Sequence, residues 1–224
     1  MMTNLKKQRH TVIFDLDGTL LNTLEDLAGS VNYALRENGY PERALFEVRR
    51  FLGNGIRYLM RCAVPENISD EDYEKTFKCF RSHYLVHCLD KTKPYEGMIV
   101  LLEELKTRHF KLAIVSNKLQ PAVEELNARF FSDVVNVAIG ESKGVRRKPA
   151  PDTVLMALQQ LNSTTEDAVY IGDSEVDILT AQQAGLPCIS VLWGFRDHDF
   201  LLAHGAKVLV ETPAEILQKI ELPL

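Results

Sequence analysis

Short apolar runs recur along the chain at Val12–Phe14, Leu112–Val115, Val134–Ile139, Ala168–Ile171, Ile189–Leu192 and Lys207–Val210. Each is brief and bounded by polar or turn-forming residues, the pattern of a buried strand. Between most of them the apolar positions take the three- and four-residue spacing of a helix, over Met98–His109, Pro121–Phe130, Thr153–Leu161, Val176–Ala184 and Ala214–Ile220. This alternation predicts an α/β fold, a parallel sheet with helices on both faces. Strands that are apolar almost throughout fit burial on two sides better than alternating ones would.

The interval from Leu21 to Lys93 breaks that rhythm. It carries helical periodicity over Leu24–Glu37, Arg43–Cys62 and Glu71–His87 and no convincing strand. Thr23 stands three residues before Asp26 and Ser69 three before Asp72, a spacing that signals helix starts. The expectation is an all-helical domain, residues 21–93, inserted into an α/β core made of residues 1–20 and 94–224. Its chain would leave the sheet after Leu20 and return near Pro94-Tyr95-Glu96-Gly97. Two linkers would then flank a cleft and permit hinged closure.

At 224 residues, 46% hydrophobic and 25% charged, the composition is that of an ordinary globular protein with a sizeable core. A formal charge of -5 argues against nucleic acid as a partner, which takes basic surface. A small anionic metabolite stays open, because it responds to local charge. Met1–His10 is polar and basic with no apolar run of signal or membrane-span length behind it. Neither export nor membrane insertion is expected, and the expected location is cytoplasmic. Cys62, Cys79, Cys88 and Cys188 show no CxxC spacing and are expected to stay reduced. Cys79, His83 and His87 would share one helix face at a spacing able to hold a metal. No acidic partner completes such a site, so packing is their expected role.

The chemistry gathers at strand ends. Val12-Ile13-Phe14 is followed at once by Asp15, Asp17 and Gly18, two carboxylates one residue apart beside a glycine that can turn the backbone. An Asp-Gly hairpin turn or a helix cap would account for that segment alone. Ser116 and Asn117 follow Leu112–Val115, and Asp173 and Ser174 follow Ala168–Gly172, with Asp177 one helical turn on. Between them lies Arg146-Arg147-Lys148-Pro149-Ala150-Pro151. All strands of a parallel sheet present their carboxyl ends to one edge, where ligands usually bind, so these groups can converge. Asp15, Asp17 and Asp173 together would repel in a low-dielectric cleft, and a hard divalent cation, magnesium, is the natural compensator. Such a cation with a lysine and a hydroxyl makes a pocket for a phosphoryl group. Each piece also has a plainer reading: Ser116 and Ser174 fit helix capping, Lys148 fits a solvated basic loop, and Asp177 fits a helix N-terminus.

Taken together, Asp15-Leu16-Asp17-Gly18-Thr19, Ser116-Asn117, Lys148-Pro149 and Gly172-Asp173-Ser174 with Asp177 resemble the four-motif pattern of haloacid dehalogenase superfamily phosphatases. Order, spacing and strand-end placement match across most of the chain. The resemblance implies a Rossmann-like core, and residues 21–93 are similar to the helical cap that some members insert after the first motif. It implies that Asp15 attacks phosphorus to form an aspartyl-phosphate. Asp17 would protonate the leaving oxygen and later draw a proton from water. Mg2+ would be held by Asp15, the Asp17 backbone carbonyl and Asp173, with Asp177 contacting it directly or through water. Ser116 and the Asn117 amide would hold phosphoryl oxygens, and Lys148 would bind phosphate and orient Asp15.

Within that superfamily the chain is most similar to phosphoglycolate phosphatases. Leu52-Gly53-Asn54-Gly55 resembles their Gly-x-Gly cap element and Asn117-Lys118 their second motif. The resemblance places Thr19, Lys118, Gly53, Gly55 and Arg57 with the substrate-binding set, the two glycines letting backbone amides approach a small carboxylate with Arg57 as helper. The glycines equally fit a simple loop between helices. Leu119 stands where that group tends to have proline, and Glu141–Arg147 differs from its usual sequence. Inorganic pyrophosphate or a small sugar phosphate are therefore alternative substrates. A phosphomutase would use the same aspartate pair, and a phosphorylated receiver-like signalling domain would use similar groups in a different order. A dehalogenase has no need of Asp17 or magnesium.

Overall fold

The computed structural model describes residues 9–220. Most of the polar N-terminal stretch read above for the absence of a signal lies outside them. In chain order the elements are β1 (Thr11–Phe14), β2 (Leu21–Asn22), α1 (Leu24–Glu37), α2 (Leu45–Phe51), α3 (Ile56–Ala63), α4 (Asp70–His87), β3 (Lys93–Pro94), α5 (Met98–Thr107), β4 (Lys111–Leu119), α6 (Gln120–Phe130), β5 (Val137–Glu141), α7 (Asp152–Gln160), β6 (Ala168–Gly172), α8 (Glu175–Ala184), β7 (Cys188–Val191), α9 (His198–Ala203), β8 (Leu209–Val210) and α10 (Pro213–Ile220). The chain divides into two compact units, one running to Leu20 and resuming at Pro94, the other Leu21–Lys93.

The first unit is built on a six-stranded sheet in the order β5-β4-β1-β6-β7-β8, with β2 and β3 forming a separate two-stranded pair. Neighbouring strands of the large sheet run parallel throughout. Counted without β2 and β3, this is the Rossmann order 3-2-1-4-5-6, which reverses direction at β1. Side chains alternate across each strand: Ile13 and its register partners Ala113 and Tyr170 face a core shared with Val154, Ala157, Leu158 and Ala181 of α7 and α8. The opposite face, through Val12, Phe14, Ile114 and Ile171, is equally buried. Covering both faces is what the apolar strands demand, since a polar side chain on either would lie in the core without water.

Within the second unit α1 packs on α4, with α2 and α3 completing the bundle. Tyr73, Phe77, Phe80 and Tyr84 form a continuous ring stack along α4, at centroid separations of 6.1, 6.3 and 5.7 Å. Those positions follow i, i+4, i+7 and i+11, one face of the helix.

Several boundaries differ from the expectation, each for a visible reason. The Arg43–Cys62 stretch is two helices, because Gly53 and Gly55 take φ of 106° and 81°, a left-handed backbone that ends one helix before the next begins. Thr23 makes no side-chain cap on α1. Asp26 instead accepts from the amides of Lys91 and Thr92 at 3.0 and 2.8 Å, tying the end of the helical unit to its start. Ser69 does cap α4, accepting from the Asp72 amide at 3.1 Å. The strand expected from Val134 starts at Val137, since the Val134 and Val135 amides both turn back to the Phe131 carbonyl. Helix α9 was not anticipated. Cys79, His83 and His87 form no metal cluster among the described residues; His83 bonds Ser30 at 3.0 Å and stacks between Tyr33 and His87. Nor is any described helix long and apolar enough to cross a membrane.

Candidate active site

Asp15, Ser116 and Asp173 follow directly on the apolar parts of β1, β4 and β6, so neighbouring parallel strands deliver all three to one edge at the point where strand order reverses. The Asp15 amide donates to the Ile171 carbonyl at 2.9 Å, extending the β1–β6 ladder into the site. Asp15, Asp173 and Asp177 each offer a carboxylate oxygen within 4.8 Å of the others, and all three are buried.

Lys148, from the loop between β5 and α7, enters this cluster. Its Nζ lies 2.6 Å from Asp15 Oδ1, 2.7 Å from Asp177 Oδ1 and 3.1 Å from the Tyr170 hydroxyl. Lys148 is itself buried, so the loop is not a solvated basic patch at that residue. Its neighbour Arg146 has that character, exposed and paired with Asp152. The loop is tied down by Asn117 Nδ2, which donates to the Lys148 carbonyl at 3.0 Å. Ser116 lies within β4 and caps no helix; its Oγ accepts from the Lys118 amide at 3.1 Å.

Electrostatics follow from burial. Desolvation raises Asp15 well above the usual carboxylate range, Asp177 and Asp173 add to the rise, and Lys148 opposes it. Asp173 is pushed up to about 7, by burial first and the Asp177 charge second, against the Phe195 amide that donates to it at 2.6 Å. Burial would lower Lys148, but the Asp15 and Asp177 carboxylates outweigh it and hold the ammonium firmly charged. When all three are ionised, three carboxylates against one ammonium leave two negative charges without a counter-charge in a buried pocket. That imbalance, presented by hard oxygen donors, fits one divalent cation.

Asp177 is occupied differently from its two neighbours. Oδ1 accepts from Lys148 and from the Tyr170 hydroxyl at 2.9 Å, while Oδ2 accepts from the Ser174 amide and hydroxyl at 3.1 and 2.6 Å. Four donors fill its four acceptor positions. Ser174 is thus held at the start of α8 by Asp177, and Gly172 is required beside them: a Cβ there would fall 2.7 Å from Asp177 Oδ2 and closer still to its carbons.

Asp17 pairs with Lys118, whose buried Nζ lies 2.9 and 3.2 Å from its two oxygens. The Asp17 side chain keeps about a fifth of its surface exposed, the opening a reacting group needs. Thr19 is buried with its hydroxyl unpartnered, and its carbonyl accepts from Trp193 Nε1 at 3.0 Å. In the helical unit, Arg57 gives its guanidinium to Glu74 at 2.7 and 3.4 Å and lies over the Phe77 ring, while Gly53 and Gly55 form the break between α2 and α3.

Two contributors escaped the sequence reading. Tyr170 is the only polar side chain between Ala168 and Ile171, and that interruption of an apolar strand was the available signal. The segment Trp193-Gly194-Phe195 after β7 reaches both Thr19 and Asp173, at a strand end that carries no acid and so drew no attention.

The haloacid dehalogenase-like hydrolase family model matches residues 12–191, from the second residue of β1 to the end of β7. A phosphoglycolate phosphatase of Aquifex aeolicus is 35% identical over 190 residues, covering 82% of this chain and 85% of that one. Phosphoglycolate phosphatase 1 of Pseudomonas aeruginosa is 30% identical over 220 residues, covering 93% and 76%. Among solved structures, a candidate phosphoglycolate phosphatase from Lactobacillus delbrueckii subsp. bulgaricus superimposes with a TM-score of 0.91 at 33% identity, over 96% of this chain and 99% of that one. With the acids, the lysine and the strand order all in the places these matches span, the chain belongs to the haloacid dehalogenase-like hydrolases.

Proposed function

We propose that the chain is a phosphatase that hydrolyses a small phosphate monoester through an aspartyl-phosphate on Asp15, with phosphoglycolate as its leading substrate. The observation that carries this reading is the buried Asp15–Lys148 contact of 2.6 Å inside a pocket with surplus negative charge. A carboxylate so placed is oriented by a fixed cation rather than left to rotate, which favours attack along one line.

In the first half-reaction an Asp15 oxygen attacks phosphorus, the ester P–O bond breaks, and the leaving oxygen takes the proton of Asp17. In the second, water attacks the same phosphorus, gives a proton to Asp17, and the bond to Asp15 breaks to release inorganic phosphate. Ser116 and the Asn117 amide bind phosphoryl oxygens, and Lys148 offsets charge on Asp15. Asp15, the Asp17 backbone carbonyl and Asp173 are the groups that would hold Mg2+; its part is to neutralise phosphoryl charge. Asp177, with its acceptors filled, serves as the anchor of Lys148.

Phosphoglycolate is supported by the names of the relatives and by Lys118, a second buried cation next to Asp17, suited to a substrate with an additional anionic group near its ester oxygen. Water as the acceptor, rather than a second hydroxyl, is supported by the same relatives. The helical unit Leu21–Lys93 is assigned the part of a cap in this reading, with Gly53, Gly55 and Arg57 as its contribution to substrate binding. A cytoplasmic setting fits the four free cysteines.

The test is a panel of phosphate esters, including phosphoglycolate, pyrophosphate and small sugar phosphates, assayed with and without Mg2+. Magnesium-dependent phosphate release, greatest on phosphoglycolate, is expected. Release that is indifferent to chelation would overturn the metal assignment, and preference for another ester would overturn the substrate.

A further inference from the structure

Tyr170 lies at the middle of β6, fully buried, beside Ile13 of β1 and Cys188 of β7 in the sheet register. Its ring belongs to the apolar core on the α7–α8 face. Its hydroxyl belongs to the site. At 2.9 Å from Asp177 Oδ1 it must donate, because a carboxylate can only accept; its lone pairs are then free to accept from Lys148 Nζ at 3.1 Å. Lys148 has three N–H groups, and Asp15, Asp177 and Tyr170 take all three. Lys148, Asp177 and Tyr170 thus close a ring of hydrogen bonds with one arm directed at Asp15.

We infer that Tyr170 is a positioning residue, holding the Lys148 ammonium on Oδ1 of Asp15 so that the nucleophile keeps one orientation through both half-reactions. A lysine side chain turns about four bonds and its ammonium spins freely. Asp177 alone fixes one of its three N–H directions, which leaves rotation about that bond. A second acceptor, on β6 rather than on α8, removes this freedom. Phenylalanine would fill the same core volume and supply no acceptor, so the hydroxyl and not the ring carries the role. The proposal rests on the hydrolase reading for its kinetic consequence, but the ring of hydrogen bonds has a readout of its own.

The experiment compares Tyr170→Phe with wild type in four measurements. Steady-state phosphate release should show kcat lowered about tenfold, the weight of one hydrogen bond to a charged group, with KM within about twofold. In a Lys148→Ala background the same change should alter kcat by less than about twofold, because nothing remains for Tyr170 to hold. A 1H–15N spectrum of lysine ammonium groups should show a protected Lys148 signal in wild type, identified by its absence in Lys148→Arg, and lose that protection in Tyr170→Phe. Thermal melting should show a folded variant. An unchanged kcat, an equal drop in both backgrounds, a retained ammonium signal, or failure of Tyr170→Phe to fold would each overturn the proposal, the last by making the hydroxyl structural. Wild-type protein that shows the ammonium behaviour but releases no phosphate from any ester would sink the hydrolase reading while leaving the positioning ring standing.

Discussion

Gly194→Ala tests whether Asp173, proposed to face the metal, is held by packing as well as by hydrogen bonding. A Cβ at residue 194 would fall 2.5 Å from Asp173 Oδ2, nearer still to Asp173 Cβ, and 2.6 Å from the backbone carbonyl of Gly18. Neither neighbour is the far end of a flexible side chain: one is backbone and the other is one bond from backbone. Gly18 is also boxed in, since its own missing Cβ position lies 2.8 Å from both Asp173 Cγ and Phe195 Cδ2. Relief therefore needs the 193–195 loop to move by about an ångström, which lengthens the Phe195 amide contact to Asp173 from 2.6 Å and weakens it. Overpacking of this kind costs about 1–3 kcal/mol, and a hydrogen bond to a charged acceptor is worth about 1.5–3 kcal/mol. Because one displacement causes both losses they do not simply add, and about 3 kcal/mol is expected, or about 6–12 °C in Tm for a chain of this size. A misplacement of about 1 Å at a reacting centre costs about a hundredfold in rate. The assay pairs thermal melting with phosphate release over a Mg2+ titration, expecting lower Tm, lower kcat and a higher half-saturating Mg2+ concentration. Gly29→Ala is the control, since that exposed helical glycine has nothing within 4 Å of its Cβ position and should gain about 0.5–1 kcal/mol. Gly194→Ala with wild-type Tm and unaltered magnesium response would refute the packing argument.

Three further outcomes are expected. Asp15→Asn should abolish phosphate release while the protein still melts cooperatively, and appreciable turnover by that variant would defeat the covalent route. Asp17→Asn should slow release by about a hundredfold or more on esters with poor leaving groups, the usual weight of acid-base help, and less on activated ones; equal loss on both kinds would remove Asp17 from proton transfer. Without metal, Asp173 sits at about 7 against an ordinary 3.8, so the folded state keeps a proton that the unfolded chain releases across that window. Stability of chelated protein should therefore fall as pH rises from about 4 to 7, by at most about 1.4 kcal/mol per pH unit for this group, with Asp15 acting in the same direction. Melts in chelator across that range check the sign, and stability that climbs with pH would contradict it.

The α/β character of the core was open to reading because its strands are buried on two faces. Burial of that kind forces runs such as Val12-Ile13-Phe14 and Leu112-Ala113-Ile114-Val115 to be apolar without interruption, and no tertiary detail is needed to see them. The catalytic candidates were legible for a related reason. Asp15, Ser116 and Asp173 stand directly after those runs, and parallel strands carry their ends to a common edge whatever the intervening sequence. Asp177 was legible as a residue, but only the folded molecule reveals that Lys148, Tyr170 and Ser174 all donate to it.

Where the sequence reading failed, local signals competed with partners far along the chain. Thr23 and Asp26 have capping spacing, yet Asp26 is claimed by two amides 65 and 66 residues away. Helical periodicity across Arg43–Cys62 hides a break that two left-handed glycines impose. Trp193, Gly194 and Phe195 carry no charge to announce themselves, and their work is done by a backbone amide, an indole N–H and the absence of a side chain. Hydrophobic pattern and strand-end chemistry are properties of short segments, so the chain by itself determined the sheet, the helical stretch after β1 and which acids stand at strand ends. Which acids cluster, which of them contact a lysine and which glycines must stay bare depend on contacts of a few ångströms between distant residues, and only the tertiary structure decided them.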